Sequence, residues 1–210
     1  MKFDNHDPSI RYVELEFVRS NLDHIPSYQL PDGYRFSFYR DGDRDHWIEI
    51  EKSAKEFSSS AQGLESWNRY YGGREHLLKN RMVFIETISG EKVATATAYF
   101  DIYGRDITGS AWLHWVAVKR EYQGRGLSKP LIAYTLGLMP GLGYDHVMLS
   151  SQTNTWLACK IYMDFGFLPN PANVEENLIG WEILHTLTNH TTLKHFRYAN
   201  EAEILSEENI

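Results

Sequence analysis

An α+β chain built on a mixed sheet is the fold class this sequence predicts, and three stretches carry the prediction. "RMVFIET" (81–87) and "KVATATAYF" (92–100) are strand-forming runs joined by a turn at Ser89-Gly90, which reads as an antiparallel hairpin. "SAWLHWVAV" (110–118) is a nearly continuous apolar run, the pattern of a strand buried on both faces. It is followed by a glycine turn, a helical face at Leu127, Leu131, Tyr134 and Leu138, the short strand "HVMLSS" and a helix from Trp156 to Phe165. Strand, turn, helix and strand in that order imply a right-handed crossover with parallel pairing.

The remaining elements follow the same logic. "IRYVELEFV" (10–18) alternates as a strand, and a loop through Pro26 and Pro31 leads to a second strand at "YRFSFYR". From Asp45 the spacing turns helical, with Trp47, Ile50 and Phe57 as apolar anchors. A second helix covers about 60–80 and is interrupted at Gly72-Gly73. Pro130 falls in the first turn of its helix, where no intrahelical N–H bond is lost. Gly166 is expected to end the 156–165 helix in a left-handed cap, with Phe167 folding back onto Tyr162. The closing "NEAEILSEENI" is acidic and expected to fray.

With 210 residues, 42% apolar and 14% aromatic, the chain can bury the core of one domain. It contains no run of about 18 apolar residues and no signal-peptide order at its start, so a cytoplasmic protein that does not engage a membrane is expected. The net charge of −7 argues against nucleic acid and anionic lipid as partners and favours a cationic substrate. Cys159, the single cysteine, excludes an internal disulfide and a cysteine-based zinc site and reads as a small buried hydrophobe. His185, His190 and His195 lack compact ligand spacing, and no metal is expected.

The stretch "EYQGRGLSKPL" (121–131) asks what needs bare backbone at Gly124 and Gly126. A dinucleotide fingerprint fails because its third glycine position is Lys129, and no P-loop spacing exists. What remains is a helix N-terminus whose unpaired N–H groups and positive dipole end face an anion, or a plain glycine turn. Those two readings are not separated by these residues alone.

Set in the order strand, glycine turn, helix, strand, Asn and Tyr-bearing helix, the sequence resembles the GNAT family, the GCN5-related N-acetyltransferases. Their acetyl-CoA signature [Q/R]-x-x-G-x-[G/A] reads here Gln123, Gly124, Arg125, Gly126, Leu127, Ser128, with Ser128 departing from Gly or Ala at the last position. The resemblance covers roughly residues 33–168. It implies a GNAT-like fold, a mixed and mostly antiparallel central sheet with a parallel pair between the family's fourth and fifth strands and helices on both faces. The resemblance does not explain the first thirty residues or those after about 170; the chain is expected to divide into an N-terminal extension at 1–30 joined to the sheet as a strand, an acyltransferase domain at 31–200 and an acidic tail at 201–210. The resemblance further implies acetyl-CoA as acyl donor. Val116, Ala117 and Val118 would offer backbone to the pantetheine arm, and residues 123–128 would hold the pyrophosphate. Asn154, Tyr162 and the "DFGF" ending match the family's later motif, with the Asn-to-Tyr spacing one residue longer than its commonest form.

The implied reaction moves an acetyl group to a primary amine of a small molecule or peptide by direct attack in a ternary complex. A GNAT-like module that binds acyl-CoA without catalysis is the alternative, and a homodimer stays open as an assembly. An alkyl amine, with a pKa of about 10.4, must lose a proton before attack, and His114 is a candidate to take it, directly or through water. "WLHWVAV" resembles the matching strand of arylalkylamine acetyltransferases, where a histidine serves this purpose; a core histidine bonded to backbone is the rival. Strict alternation puts Trp112, His114 and Val116 on one face and Leu113 and Trp115 on the other. Tyr162 is the candidate acid for the departing thiolate, against a packed core tyrosine. The resemblance builds the acceptor cleft from about 47–75 and from C-terminal strands near 178–198. There Glu49, Glu51, Tyr70 and Tyr71 could select a cation, but solvated helix faces are the simpler account of them.

Overall fold

The computed structural model describes residues 6–100 and 111–206. Ser110 of the expected strand, the first five residues of the extension and 207–210 of the tail lie outside that description. In chain order the elements are β1 (Glu14–Arg19), β2 (Tyr34–Phe38), α1 (Arg44–Ser53), α2 (Ser60–Tyr70), α3 (Glu75–Leu78), β3 (Met82–Thr87), β4 (Lys92–Phe100), β5 (Ala111–Val118), α4 (Ser128–Leu138), β6 (Val147–Gln152), α5 (Trp156–Asp164), β7 (Leu168–Pro169), α6 (Leu178–Thr188) and α7 (Glu201–Ile204). The seven strands, with a parallel pair and helices, make the mixed and mostly antiparallel sheet that the sequence predicts.

The chain divides into two compact units, Asn21–Val147 and a second formed by the segment ending at Ser20 with Met148 onward. In the first unit β2, β3, β4 and β5 follow one another as antiparallel neighbours. The expected hairpin is present, with Met82 opposite Thr97 and Ile85 opposite Ala94. α1 buries Trp47, Ile48, Ile50 and Glu51, and α2 starts where the Ser59 side chain accepts the Gln62 N–H at 3.3 Å. Trp47 meets Trp67, Tyr71 and Trp115 edge to face, with ring centres 5.3, 5.6 and 5.4 Å away.

β5 departs from the sequence reading. Thr97 faces His114 and Thr95 faces Ala117, so Trp115 and Val116 together stand opposite Ala96. Two residues against one make a β-bulge, with Trp115 at a left-handed φ of 50°. Strict alternation therefore fails, and the Trp115 ring joins the His114 ring in the same cluster, 5.7 Å apart. The strand is not buried throughout either; it is buried at Ala111–Leu113 and Ala117–Val118 and half-buried from His114 to Val116.

In the second unit β1 lies between β6 and β7, with Phe17 opposite Pro169. Phe17 packs edge to face on Trp181 at 4.8 Å. The strands expected near 178–198 are replaced by α6, which buries six consecutive residues from Gly180 to His185, and by a 3₁₀ turn at Thr191–Leu193. The start of the tail is ordered as α7, capped reciprocally by Asn200 and Glu203, and Leu205 bridges to Ile10. Gly166 ends α5 at φ 81°, and the Phe167 N–H returns to the Tyr162 carbonyl at 3.2 Å, as the sequence led one to expect.

Candidate active site

His114 sits at the edge of the bulge with its ring enclosed by aromatic side chains. Tyr99 stacks on it at 5.3 Å and 15°, while Tyr70 presents an edge at 4.9 Å. The Tyr99 hydroxyl donates to the Tyr70 carbonyl, tying strand β4 to the end of α2. Nδ1 of His114 is 3.2 Å from the Tyr71 hydroxyl oxygen, and that hydroxyl donates to Thr97 Oγ1 at 3.3 Å. The side chain is therefore half-buried and hydrogen-bonded to another side chain.

Two acidic residues of α1 have opposite fates. Glu49 is exposed and accepts from Lys119 Nζ at 3.0 Å, a cation it shares with Glu91. Glu51 is 0% exposed, and neither carboxyl oxygen has a hydrogen-bond partner among the described residues. Burial, reinforced by the negative charge of Glu56, holds its carboxyl well above the usual carboxylate range. Tyr71 is also fully buried, and desolvation pushes its hydroxyl well above the usual phenol value. A solvated helix face thus describes Glu49 but neither Glu51 nor Tyr71. The sequence signal that could have separated them is that Ile48 and Glu51 are three residues apart, on the buried side of α1.

Beyond β5 the chain makes a 3₁₀ turn at Arg120–Tyr122 and then the glycine turn. Gly124 and Gly126 lie at φ 75° and 77°, a region that costs an L side chain about 1–2 kcal/mol. A Cβ on Gly126 would approach nothing nearer than Pro31 Cγ at 3.9 Å, so backbone conformation rather than crowding calls for glycine. Gln123 braces the turn by donating from Nε2 to the Val118 carbonyl at 3.1 Å. α4 starts at Ser128 after Leu127, whose side chain can offer no cap. The first N–H groups of this eleven-residue helix therefore point out of the turn without intrahelical acceptors, a fit for an anionic group.

Asn154 and Tyr162 belong to the second unit. Asn154 is 6% exposed; its Nδ2 is 3.0 Å from His6 Nε2 and its carbonyl accepts the Asp7 N–H at 2.8 Å, so the N-terminal segment covers it. Tyr162 is 8% exposed, with Phe17 and Phe167 edge to face at 6.4 and 6.2 Å. Cys159 is buried beside Ser151 Oγ at 3.4 Å, and burial pushes its thiol up to about 12, leaving it inert.

No group of three or more His, Cys, Asp or Glu among the described residues could hold a metal ion, and none of the described helices is long and apolar enough to cross a membrane. Residues 37–167 match the family model described as the Acetyltransferase (GNAT) family. No curated protein is recognisably similar in sequence. Among solved structures, a GCN5-related N-acetyltransferase from Sphaerobacter thermophilus is similar over 77% of this chain and 49% of its own, at 22% identity and a TM-score of 0.58. An acetyltransferase from the GNAT family from Colwellia psychrerythraea covers 77% and 55% at 13% identity and a TM-score of 0.55. A tandem GNAT protein from the clavulanic acid biosynthesis pathway covers 78% and 52% at 15% identity and a TM-score of 0.52. The chain spans about half the length of these relatives, and at such identities the likeness is one of fold.

Proposed function

The chain belongs to the GNAT acetyltransferase family, and from that premise we propose that it transfers an acetyl group from acetyl-CoA to a primary amine of a small molecule or peptide. The observation that carries this reading is the succession, within one unit, of the bulged strand bearing His114, the two left-handed glycines and the uncapped helix α4. Backbone groups of Val116, Ala117 and Val118 would hold the pantetheine arm. N–H groups from Gly124 to Ser128 would take the pyrophosphate, with Gln123 bracing the turn and Arg125 adding outer charge. Asn154 enters as a further acetyl-CoA residue by its match to the family motif.

In the ternary complex the amine nitrogen attacks the thioester carbonyl carbon, forming the C–N bond and placing negative charge on the carbonyl oxygen. A backbone N–H near Val116 would stabilise that charge, since bulging frees strand N–H groups from regular pairing. Collapse breaks the C–S bond, and the thiolate of CoA takes a proton from Tyr162. The proton lost by the amine goes to His114, directly or through water. The net charge of −7 favours a cationic acceptor over nucleic acid or an anionic lipid surface. A cytoplasmic location suits this donor, and light scattering on the purified protein tests the homodimer.

The test is acetyl-CoA binding by calorimetry together with a screen of amines, amino acids, polyamines and peptides, following release of free thiol. Binding with acceptor-dependent thiol release is the expected result. Binding without release across the whole screen would replace the reading with a non-catalytic acyl-CoA module. ATP or NAD affinity above that for CoA would instead mark a nucleotide-binding module.

A further inference from the structure

We propose that Tyr71 and Thr97 form a positioning pair that holds His114 in the tautomer with the proton on Nδ1, leaving Nε2 as the basic nitrogen. The proposal deepens the catalytic reading above and rests on it for its consequence, though not for its geometry. Neutral imidazole carries one N–H, and the hydrogen bond made by one nitrogen decides the state of the other. A tyrosine hydroxyl likewise has one proton to give.

That proton is committed. The Tyr71 hydroxyl donates to Thr97 Oγ1 at 3.3 Å, so toward His114 Nδ1, 3.2 Å away, its oxygen can only accept. Nδ1 must then supply the N–H. Tyr71 and Thr97 are both 0% exposed, which keeps water from substituting for either partner. The burial that raises the Tyr71 hydroxyl also keeps it protonated, so the pair does not change state at working pH. The His114 ring cannot readily turn away, because Tyr99 stacks on one face and Tyr70 and Trp115 contact it at 4.9 and 5.7 Å. Register supplies the rest, since Thr97 stands directly opposite His114 across the β4–β5 ladder. Free imidazole in a histidine side chain favours the proton on Nε2, so the protein here holds the less common form.

The test reads the tautomer itself. Long-range proton–nitrogen spectra of histidine-labelled protein, assigned against His114→Gln, should show Nδ1 protonated and Nε2 bare once the ring is neutral. In Thr97→Val the Tyr71 hydroxyl loses its acceptor and turns to donate to Nδ1, so the pattern should reverse, with kcat falling about 10²-fold and KM little changed. Thr97→Ser, which keeps the hydroxyl, should restore both the spectrum and kcat. Tyr71→Phe should release the ring to its intrinsic preference for Nε2–H. A protonated Nε2 in the unmodified protein, or an unchanged spectrum in a folded Thr97→Val variant, would overturn the pair. Full activity of His114→Gln would remove the base role alone, and the spectra would still decide the tautomer.

Discussion

The guanidinium of Arg125 lies 4.6 Å from the centre of the Tyr122 ring, and its Nη2 donates to the Glu121 carbonyl at 2.9 Å. Its Nη1 reaches the Tyr34 hydroxyl at 3.3 Å. The side chain is tied back along the segment that enters the glycine turn, so its charge acts from the side while the turn's backbone faces outward.

Anion binding should therefore depend on the backbone of the turn more than on Arg125. Gly126→Asp adds a carbon at φ 77° and a negative charge, and should abolish acetyl-CoA binding in calorimetry with the fold retained. Arg125→Gln should weaken binding by less than about tenfold, the scale of an exposed charge. The opposite ranking would move the pyrophosphate from the turn to the side chain.

His114→Gln should depress kcat/KM most below the pKa of the acceptor amine and least at high pH, where the amine is already neutral. A pH-rate profile against one acceptor measures this. A uniform loss with a lower melting temperature would make His114 a structural member of the aromatic cluster.

Tyr162→Phe keeps the ring that packs against Phe17 and Phe167, so a hydroxyl that serves the CoA thiolate predicts little change in melting temperature, whereas a hydroxyl bonded to a buried partner predicts lost stability with ordinary turnover. Loss of a general acid predicts a fall in kcat of about 10²- to 10⁴-fold at nearly constant acetyl-CoA affinity. Full turnover in the phenylalanine variant would leave the thiolate to be protonated by water.

Glu51 makes stability fall as pH rises. Its carboxyl is held well above its unfolded value, so the folded chain binds the extra proton above about pH 4.5. From there up to the folded pKa, this one group should remove about 1.4 kcal/mol per pH unit. Glu51→Gln cannot ionise, and denaturant melts from pH 5 to 8 should show a flatter profile than the unmodified chain. Parallel profiles would mean that the carboxylate is solvated in the folded protein.

Lys92 Nζ lies 2.9 Å from Asp43 Oδ2, with both side chains nearly buried, and 4.3 Å from the centre of the Phe84 ring. Asp43 also accepts the Arg40 N–H at 2.7 Å ahead of α1. Asp43→Ala strands the ammonium, and should cost about 3–5 kcal/mol in chemical denaturation. Asp43→Ala combined with Lys92→Met removes the stranded charge and should recover much of that loss. A double variant no more stable than the single one would place the cost in the α1 entry turn instead.

The readings that survived are those whose cause lies within a few residues of chain. Ser89-Gly90 between two β-forming runs specifies a hairpin wherever the strands pair, and Gly166 ends α5 because φ 81° excludes most side chains locally. The glycine turn at Gly124 and Gly126 ahead of α4 was legible for the same reason, since a turn before a helix is written in adjacent residues. α6 was not legible: burying six consecutive residues erases the 3.6-residue period by which a helix shows itself, and "LIGWEILHTLT" can read as strand. Glu51 could have been placed on the buried side of α1 by its spacing from Ile48, but Tyr71 was hidden, because a sequence gives its polarity and not which part of the chain another element covers. The bulge at Trp115 depends on how β4 and β5 come into register, and the Nδ1–H tautomer proposed for His114 depends on Tyr71 and Thr97, 43 residues before it and directly across the ladder. Pairing across such distances is decided only when the sheet closes, which is why sequence alone could nominate His114 and tertiary structure had to supply its surroundings.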